Sequence, residues 1–155
     1  MKLQTQRWID RWVGQALCAA VSVWARLLGT RAPQVDRSKT PRHILVILLS
    51  EMGSIVLAGP MFKALRERYP DATLHVLQLR KNQEVARMLR LTEDANFHGL
   101  DDSSPFRLAR DIWRVCVAMR RLPLDAVIDC ELFSRVSSLL AYLTGAPRRA
   151  GFTPH

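Results

Sequence analysis

Two short clusters carry the residue types that could do chemistry. The first is Ser50, Glu51, Met52, Gly53 and Ser54, a polar break in the apolar run ILVILLSEMGSIVLAGP at residues 44–60. The second is Asp129, Glu131 and Arg135 within DAVIDCELFSRVSS. Glu51 can act as a proton acceptor if the backbone aims it into a cleft and partial burial raises its pKa; in the other reading it is a solvated loop glutamate. The hydroxyl of Ser54, unassisted, is no base near neutral pH. Gly53 permits a sharp turn after a strand, and a helix starting there would turn unpaired N–H groups and a positive dipole end toward a phosphate or carboxylate. A tight strand-to-helix turn would by itself also explain the glycine.

Several other chemistries are disfavoured by spacing. Gly53 and Gly59 do not make the dinucleotide fingerprint, and no Lys-Ser/Thr pair follows to complete a phosphate loop. Cys18, Cys116 and Cys130 are odd in number and far apart, which suits reduced thiols in a cytoplasmic protein. His43, His75, His98 and His155 are scattered and no zinc spacing exists, so no metal site is expected. The formal charge of +9 and pI of about 10.5 favour anionic partners. Nucleic acid is a minor candidate, because Arg66, Arg68, Arg80, Lys81, Arg87 and Arg90 form no tight run with interleaved aromatics. Arg120, Arg121, Arg148 and Arg149 are expected to face solvent or a partner domain.

The elements that must position these residues follow from periodicity. HILVILL, ATLHVLQL, residues 95–98, DAVIDCEL and PRRAGF read as strands. Between them, residues 54–68, 82–91, 104–122 and 134–144 read as helices, with Pro60 kinking the first or opening a second segment of it. Ser104 and Pro105 suit a helix cap and first turn, and Gly145 a helix end. Strands alternating with helices predict an α/β Rossmann-like open parallel sheet covered on both faces. Ligands bind beyond the carboxyl ends of such strands, which puts residues 49–54 and 129–135 on the functional edge.

At 155 residues, 48% of them hydrophobic, the chain can fill one core. Residues 1–30 are expected as an amphipathic helix, 31–42 as a Pro- and Gly-containing linker, and 43–155 as the domain proper. Trp8, Trp12, Ala16, Ala19, Val23 and Leu27 share one helical side, with Arg7, Arg11, Arg26 and Arg31 near the ends. That pattern suits either an anionic membrane surface or packing against the same protein. The apolar stretch falls short of the ~20 residues of a membrane span, and WARLLGTRAP is a poor cleavage site for a signal peptide.

ILVILLSEMGSIVLAGPMFKALRERYPDATLHVL resembles the opening of the bacterial heptosyltransferase family, glycosyltransferase family nine. DAVIDCELFSRVSSLLAYLTGAPRRAGF is similar to that family's later stretch. The resemblance, over about residues 42–152, implies the N-terminal half of a GT-B glycosyltransferase. The acceptor, a sugar or lipid-linked glycan, would bind this half, and an ADP-heptose-like nucleotide-sugar donor would bind a second domain that this chain does not contain. It further implies inverting transfer in lipopolysaccharide or cell-surface glycan synthesis without a metal, and a cytoplasmic location, peripheral on the inner membrane through residues 7–31. The family's base is usually an Asp directly after the glycine; here Ser54 holds that position, and Glu51 is the carboxylate that could replace it. The resemblance assigns acceptor contact to Ser50, Met52, Gly53, Asp129, Glu131 and Arg135. Asp129 and Glu131 could instead cap the next helix, and Arg135 could grip a phosphate or carboxylate bidentately or stand in solvent. On these grounds the isolated chain is expected to be inactive. The competing expectation is a non-catalytic Rossmann-like module that binds anionic glycans or a partner protein, consistent with Ser54.

Overall fold

The computed structural model describes residues 39–49, 52–131 and 135–152, with the side chain of Arg135 left out. The expected N-terminal helix and residues 31–38 of the linker lie outside the described residues, as do Ser50 and Glu51.

Five strands form one sheet: β1 (His43–Leu48), β2 (Thr73–Leu79), β3 (Phe97–Leu100), β4 (Ala126–Asp129) and β5 (Arg148–Ala150). All pairs are parallel and the spatial order is β3-β2-β1-β4-β5. The central strand, HILVIL, reads as a continuous apolar run because both of its faces are covered. Ile44, Val46 and Leu48 join Ile55, Phe62, Val76 and Leu91 in one core; Leu45 and Ile47 join Leu77, Leu100, Met119 and Leu140 in the other. The helical partners are Ile55 of α1 (Met52–Leu57), Phe62 of α2 (Gly59–Arg68) and Ala86 of α3 (Gln83–Met88) on the first face, and Met119 of α4 (Pro105–Arg121) and Leu140 of α5 (Arg135–Leu143) on the second. The expected α/β Rossmann-like sheet is the fold observed.

The differences from expectation are local. Of the two readings of Pro60 the second holds, since after a break at Ala58 it stands in the first turn of a second segment, α2, where its missing N–H costs nothing; the first segment starts at Met52 rather than at 54. Helix α3 is shorter than 82–91. A 3-10 turn at Arg80–Asn82 precedes it, and Arg90, at φ 49°, ends it in the left-handed region. Leu91 N–H closes onto the Ala86 carbonyl, and the Arg66 guanidinium takes the carbonyls of Arg90 and Leu91, so the strained end is fully bonded. The strand expected over 95–98 runs Phe97–Leu100 instead, because Asp94–Asn96 form a 3-10 turn and pairing starts at Val76↔Phe97. Ser104 has the extended backbone of a cap, but its side chain makes no capping bond. Gly145 ends α5 with φ +76°, the conformation glycine adopts without a Cβ penalty.

The three histidines among the described residues, His43, His75 and His98, are not scattered in space. The register sets Leu45 opposite His75 and Leu77 opposite His98, so His43, His75 and His98 step diagonally across three strands on one face. Their rings stack at 5.5 and 5.6 Å, with ring nitrogens 3.2 Å apart from His43 to His75 and 3.4 Å from His75 to His98. Burial, with its neighbours His98 and His43 adding to it, lowers the pKa of His75 to about 4; burial also lowers that of His98. No cluster of three or more ligating side chains suited to a metal occurs among the described residues.

At the amino edge, Asp125 ties three strands together. Its carboxylate accepts from Arg42 N–H at 2.7 Å and His43 N–H at 3.0 Å, and its carbonyl accepts from Arg148 N–H. Burial alone would raise its pKa; the two N–H donors outweigh that and hold it low.

Candidate functional site at the switch point of the sheet

From β1 the chain winds outward through β2 to β3, then returns to place β4 and β5 on the other side of β1. Successive connections therefore leave β1 and β4 toward opposite faces, and a crevice opens between them at the carboxyl edge. Ile47 pairs with Asp129, and Cys130 N–H donates to the Ile47 carbonyl, so the segment that follows β1 starts beside Asp129. The topology thus puts the described members of both clusters, Met52–Ser54 and Asp129–Glu131, at the carboxyl edge of neighbouring strands. Met52, Gly53 and Ser54 form the exposed first turn of α1; Asp129 closes β4, and Glu131 is half-buried two residues on.

Gly53 is not where the chain turns. It lies inside α1 with no left-handed backbone, and a Cβ there would meet nothing within 4 Å, so what the glycine leaves is open surface. The expectation of a strong dipole end also weakens, since α1 is six residues long and aligns few peptide dipoles before the break at Ala58.

Asp129 is 6% exposed. Its carboxylate accepts from Ser137 Oγ at 2.9 Å, Ser138 Oγ at 3.3 Å and Glu131 N–H at 3.1 Å. It therefore fixes its own loop and the first turn of α5 through serine hydroxyls. Arg135 opens α5, and its side chain lies outside the described residues. Between Asp129 and Glu131, Cys130 packs its Sγ 3.8 Å from Met61 Sδ; burial and the two flanking carboxylates push its thiol up to about 11. It is not an activated nucleophile.

Beside Asp129 a cavity of about 310 Å³ opens between β5 and α5, lined by Ser138, Tyr142, Arg149, Gly151 and Phe152. The Arg149 guanidinium, exposed to solvent as expected, lies 4.9 Å from the centre of the exposed Tyr142 ring at the open wall of this cavity. Gly151 packs closely there: a Cβ would lie 3.1 Å from Asp129 Cβ, a contact that needs a few tenths of an ångström of give. An aromatic wall, a guanidinium and a buried carboxylate are the groups that bind a polyhydroxylated or anionic ligand. A larger cavity of about 460 Å³ lies at the opposite, amino edge of β2, beside Arg66, Thr73, Thr92 and Asn96. Sheet topology gives that edge no crevice, and its guanidinium is already committed to backbone carbonyls.

Sequence reasoning missed a second carboxyl-edge group. Arg80 directly follows β2, and its guanidinium bonds Asp111, a buried carboxylate of α4, at 3.1 Å. Asp111 also accepts from Arg110 at 3.0 Å and from Asp101 N–H at 3.2 Å. Desolvation would raise the pKa of Asp111, yet these donors hold it below the ordinary range. Lys81 pairs with Asp102 just after β3, at 3.0 Å. The signal was present: a basic pair immediately after a strand falls on the edge where ligands bind.

A parallel sheet in this order, covered by helices on both faces, defines a Rossmann-like domain. The fold is shared with solved glycosyltransferases. The glycosyl transferase family 9 structure from Veillonella parvula DSM 2008 superposes with a TM-score of 0.62 at 21% identity, over 72% of this chain and 32% of that one. The ADP-heptose lps heptosyltransferase II of E. coli gives 0.58 at 19%, over 70% and 30%. E. coli heptosyltransferase WaaC, determined with ADP, gives 0.55 at 17%, over 71% and 35%. The chain thus spans about a third of the length of each. No protein-family model and no curated protein matches the sequence.

Proposed function

We propose that the chain is the acceptor-binding first domain of a heptosyltransferase-like, inverting glycosyltransferase of GT-B architecture, acting in lipopolysaccharide or other cell-surface glycan synthesis. The observation that carries this reading is the convergence of residues 52–54 and Asp129–Glu131 at the switch point, within a fold shared with heptosyltransferases. In it Glu51 takes the proton from an acceptor hydroxyl as that oxygen attacks the anomeric carbon of the donor sugar. The bond to the nucleoside diphosphate breaks, and the diphosphate leaves with the electron pair. Arg149 and Arg80 supply positive charge for an anionic acceptor at either side of the crevice, while Asp129 and Gly151 keep the β4 and β5 loops in shape. The donor, an ADP-heptose-like nucleotide sugar, belongs to a second domain. Residues 7–31 would hold the enzyme at the inner face of an anionic membrane, where lipid-linked acceptors lie.

The alternative, a glycan-binding module without catalysis, is favoured by Ser54 at the family's base position and by the Asp129 carboxylate accepting from Ser137, Ser138 and Glu131 N–H. A transfer assay with ADP-heptose and a phosphorylated acceptor separates the cases. Residues 1–155 alone should show no turnover and no ADP-heptose binding, and turnover should appear when a donor domain is fused behind them. Turnover by this chain alone would refute the half-enzyme reading; none in the fusion would favour the module.

A further inference from the structure

Helix α4 turns one side to the sheet. Leu108, Ile112, Val115 and Met119 pack into the core there, and Asp111 is buried among its donors. Phe106 and Trp113, two turns apart, share the opposite side and stand 79% and 67% exposed. Around them the helix carries Arg107, Arg110, Arg114, Arg120 and Arg121 against the single carboxylate of Asp111. Arg107 is paired with Asp101 and Arg110 with Asp111. Arg114 and Arg121 are exposed, with no carboxylate in ion-pair distance among the described residues.

We propose that this face of α4 docks on an anionic lipid surface, with Phe106 and Trp113 entering the boundary between headgroups and acyl chains and Arg114 and Arg121 meeting lipid phosphates. Charge complementarity selects that occupant. A second copy would set arginine against arginine on chains of formal charge +9. The chain's own residues 7–31, also apolar on one side, carry Arg7, Arg11, Arg26 and Arg31 against Asp10 alone, the same sign as the face they would cover. A lipid surface supplies both what the aromatics and what the arginines lack: an apolar layer beneath a negative one. The surface is on a different element from residues 7–31, and it does not depend on the glycosyltransferase reading.

The test is cosedimentation of the full chain with phosphatidylglycerol-rich vesicles against pure phosphatidylcholine vesicles. Binding should favour the anionic vesicles and weaken with salt. Phe106→Ser with Trp113→Ser should lower the partition coefficient about tenfold or more. Arg114→Gln with Arg121→Gln should lower it by about fivefold for each charge and flatten the salt dependence. Neither pair should shift the unfolding midpoint, since all four side chains are exposed. Trp8→Ser with Trp12→Ser reports on residues 7–31 separately. The proposal is overturned if the wild type shows no preference for anionic vesicles, or if the Phe106/Trp113 variant binds like the wild type, whatever the Trp8/Trp12 variant does. It is overturned too if that variant leaves vesicle binding intact while residues 1–38 become newly cleavable by trypsin, for the face would then cover that segment.

Discussion

Acidification should weaken this fold through His75 before its carboxylates titrate. His75 is 4% exposed between His43 and His98, and its pKa is lowered from 6.5 to about 4, chiefly by burial. The folded chain therefore binds this proton less readily than the unfolded chain. Stability from this group is complete above about pH 6.5 and is lost as pH falls toward 4, the folded-state pKa. A shift from 6.5 to about 4 corresponds to roughly 3 kcal/mol, at about 1.4 kcal/mol per pH unit within that window. His98, also lowered by burial, acts in the same direction. The assay is urea unfolding of wild type and His75→Asn across the window. The variant loses a constant amount from packing at every pH, so only the slope isolates the proton. Its stability should fall less steeply with acid, and the difference between the two curves should shrink by roughly 3 kcal/mol from pH 6.5 to 4. Parallel curves, or a His75 ring titrating near 6.5 by NMR, would refute the reasoning.

Three further outcomes are expected. Asp125→Ala removes a charged acceptor from two backbone N–H groups, of Arg42 and His43, at the start of β1, and should cost about 2–3 kcal/mol at pH 7 in chemical denaturation; a loss below about 0.5 kcal/mol would show that water replaces it. Gly151→Val should disturb the Asp129 loop by steric contact, seen as lost NMR signals for Glu131 and Ser137 amides without global unfolding, and unchanged spectra would contradict the packing. In a two-domain enzyme, Glu51→Gln should cut turnover by ~10²- to 10⁴-fold with acceptor binding retained, and Ser54→Ala much less; near-full turnover in Glu51→Gln, raised by Ser54→Asp, would mean that the missing carboxylate was never replaced.

Much of the fold was legible because its strands are buried on both faces. HILVIL is a nearly continuous apolar run and TLHVLQL a largely apolar one with His75 and Gln78 buried in it, and such runs between helical patterns leave little choice but a parallel sheet. The boundaries were less legible where backbone bonding rather than side-chain pattern decides them. The 3-10 turn at Asp94–Asn96, which moves β3 two residues onward, carries no apolar signal. Long-range register was invisible: nothing local in His43, His75 and His98 says that two strand pairings will line them up. The same limit applied at the site. The edge rule placed Asp129 and Glu131, but that two serines of α5 would take up the Asp129 carboxylate depends on how helix and strand pack. Gly53 was read as a turn because glycine often serves one, yet the chain already has helical conformation at Met52.

The most direct measurement is amide chemical-shift mapping of the isotopically labelled chain, titrated with a phosphorylated sugar acceptor. If the crevice at the switch point is the acceptor site, shifts should concentrate at Met52–Ile55, Cys130–Glu131 and Gly151–Phe152, with Thr73, Thr92 and Asn96 at the opposite edge unchanged. Shifts clustered at those amino-edge residues, or none at saturating acceptor, would contradict it.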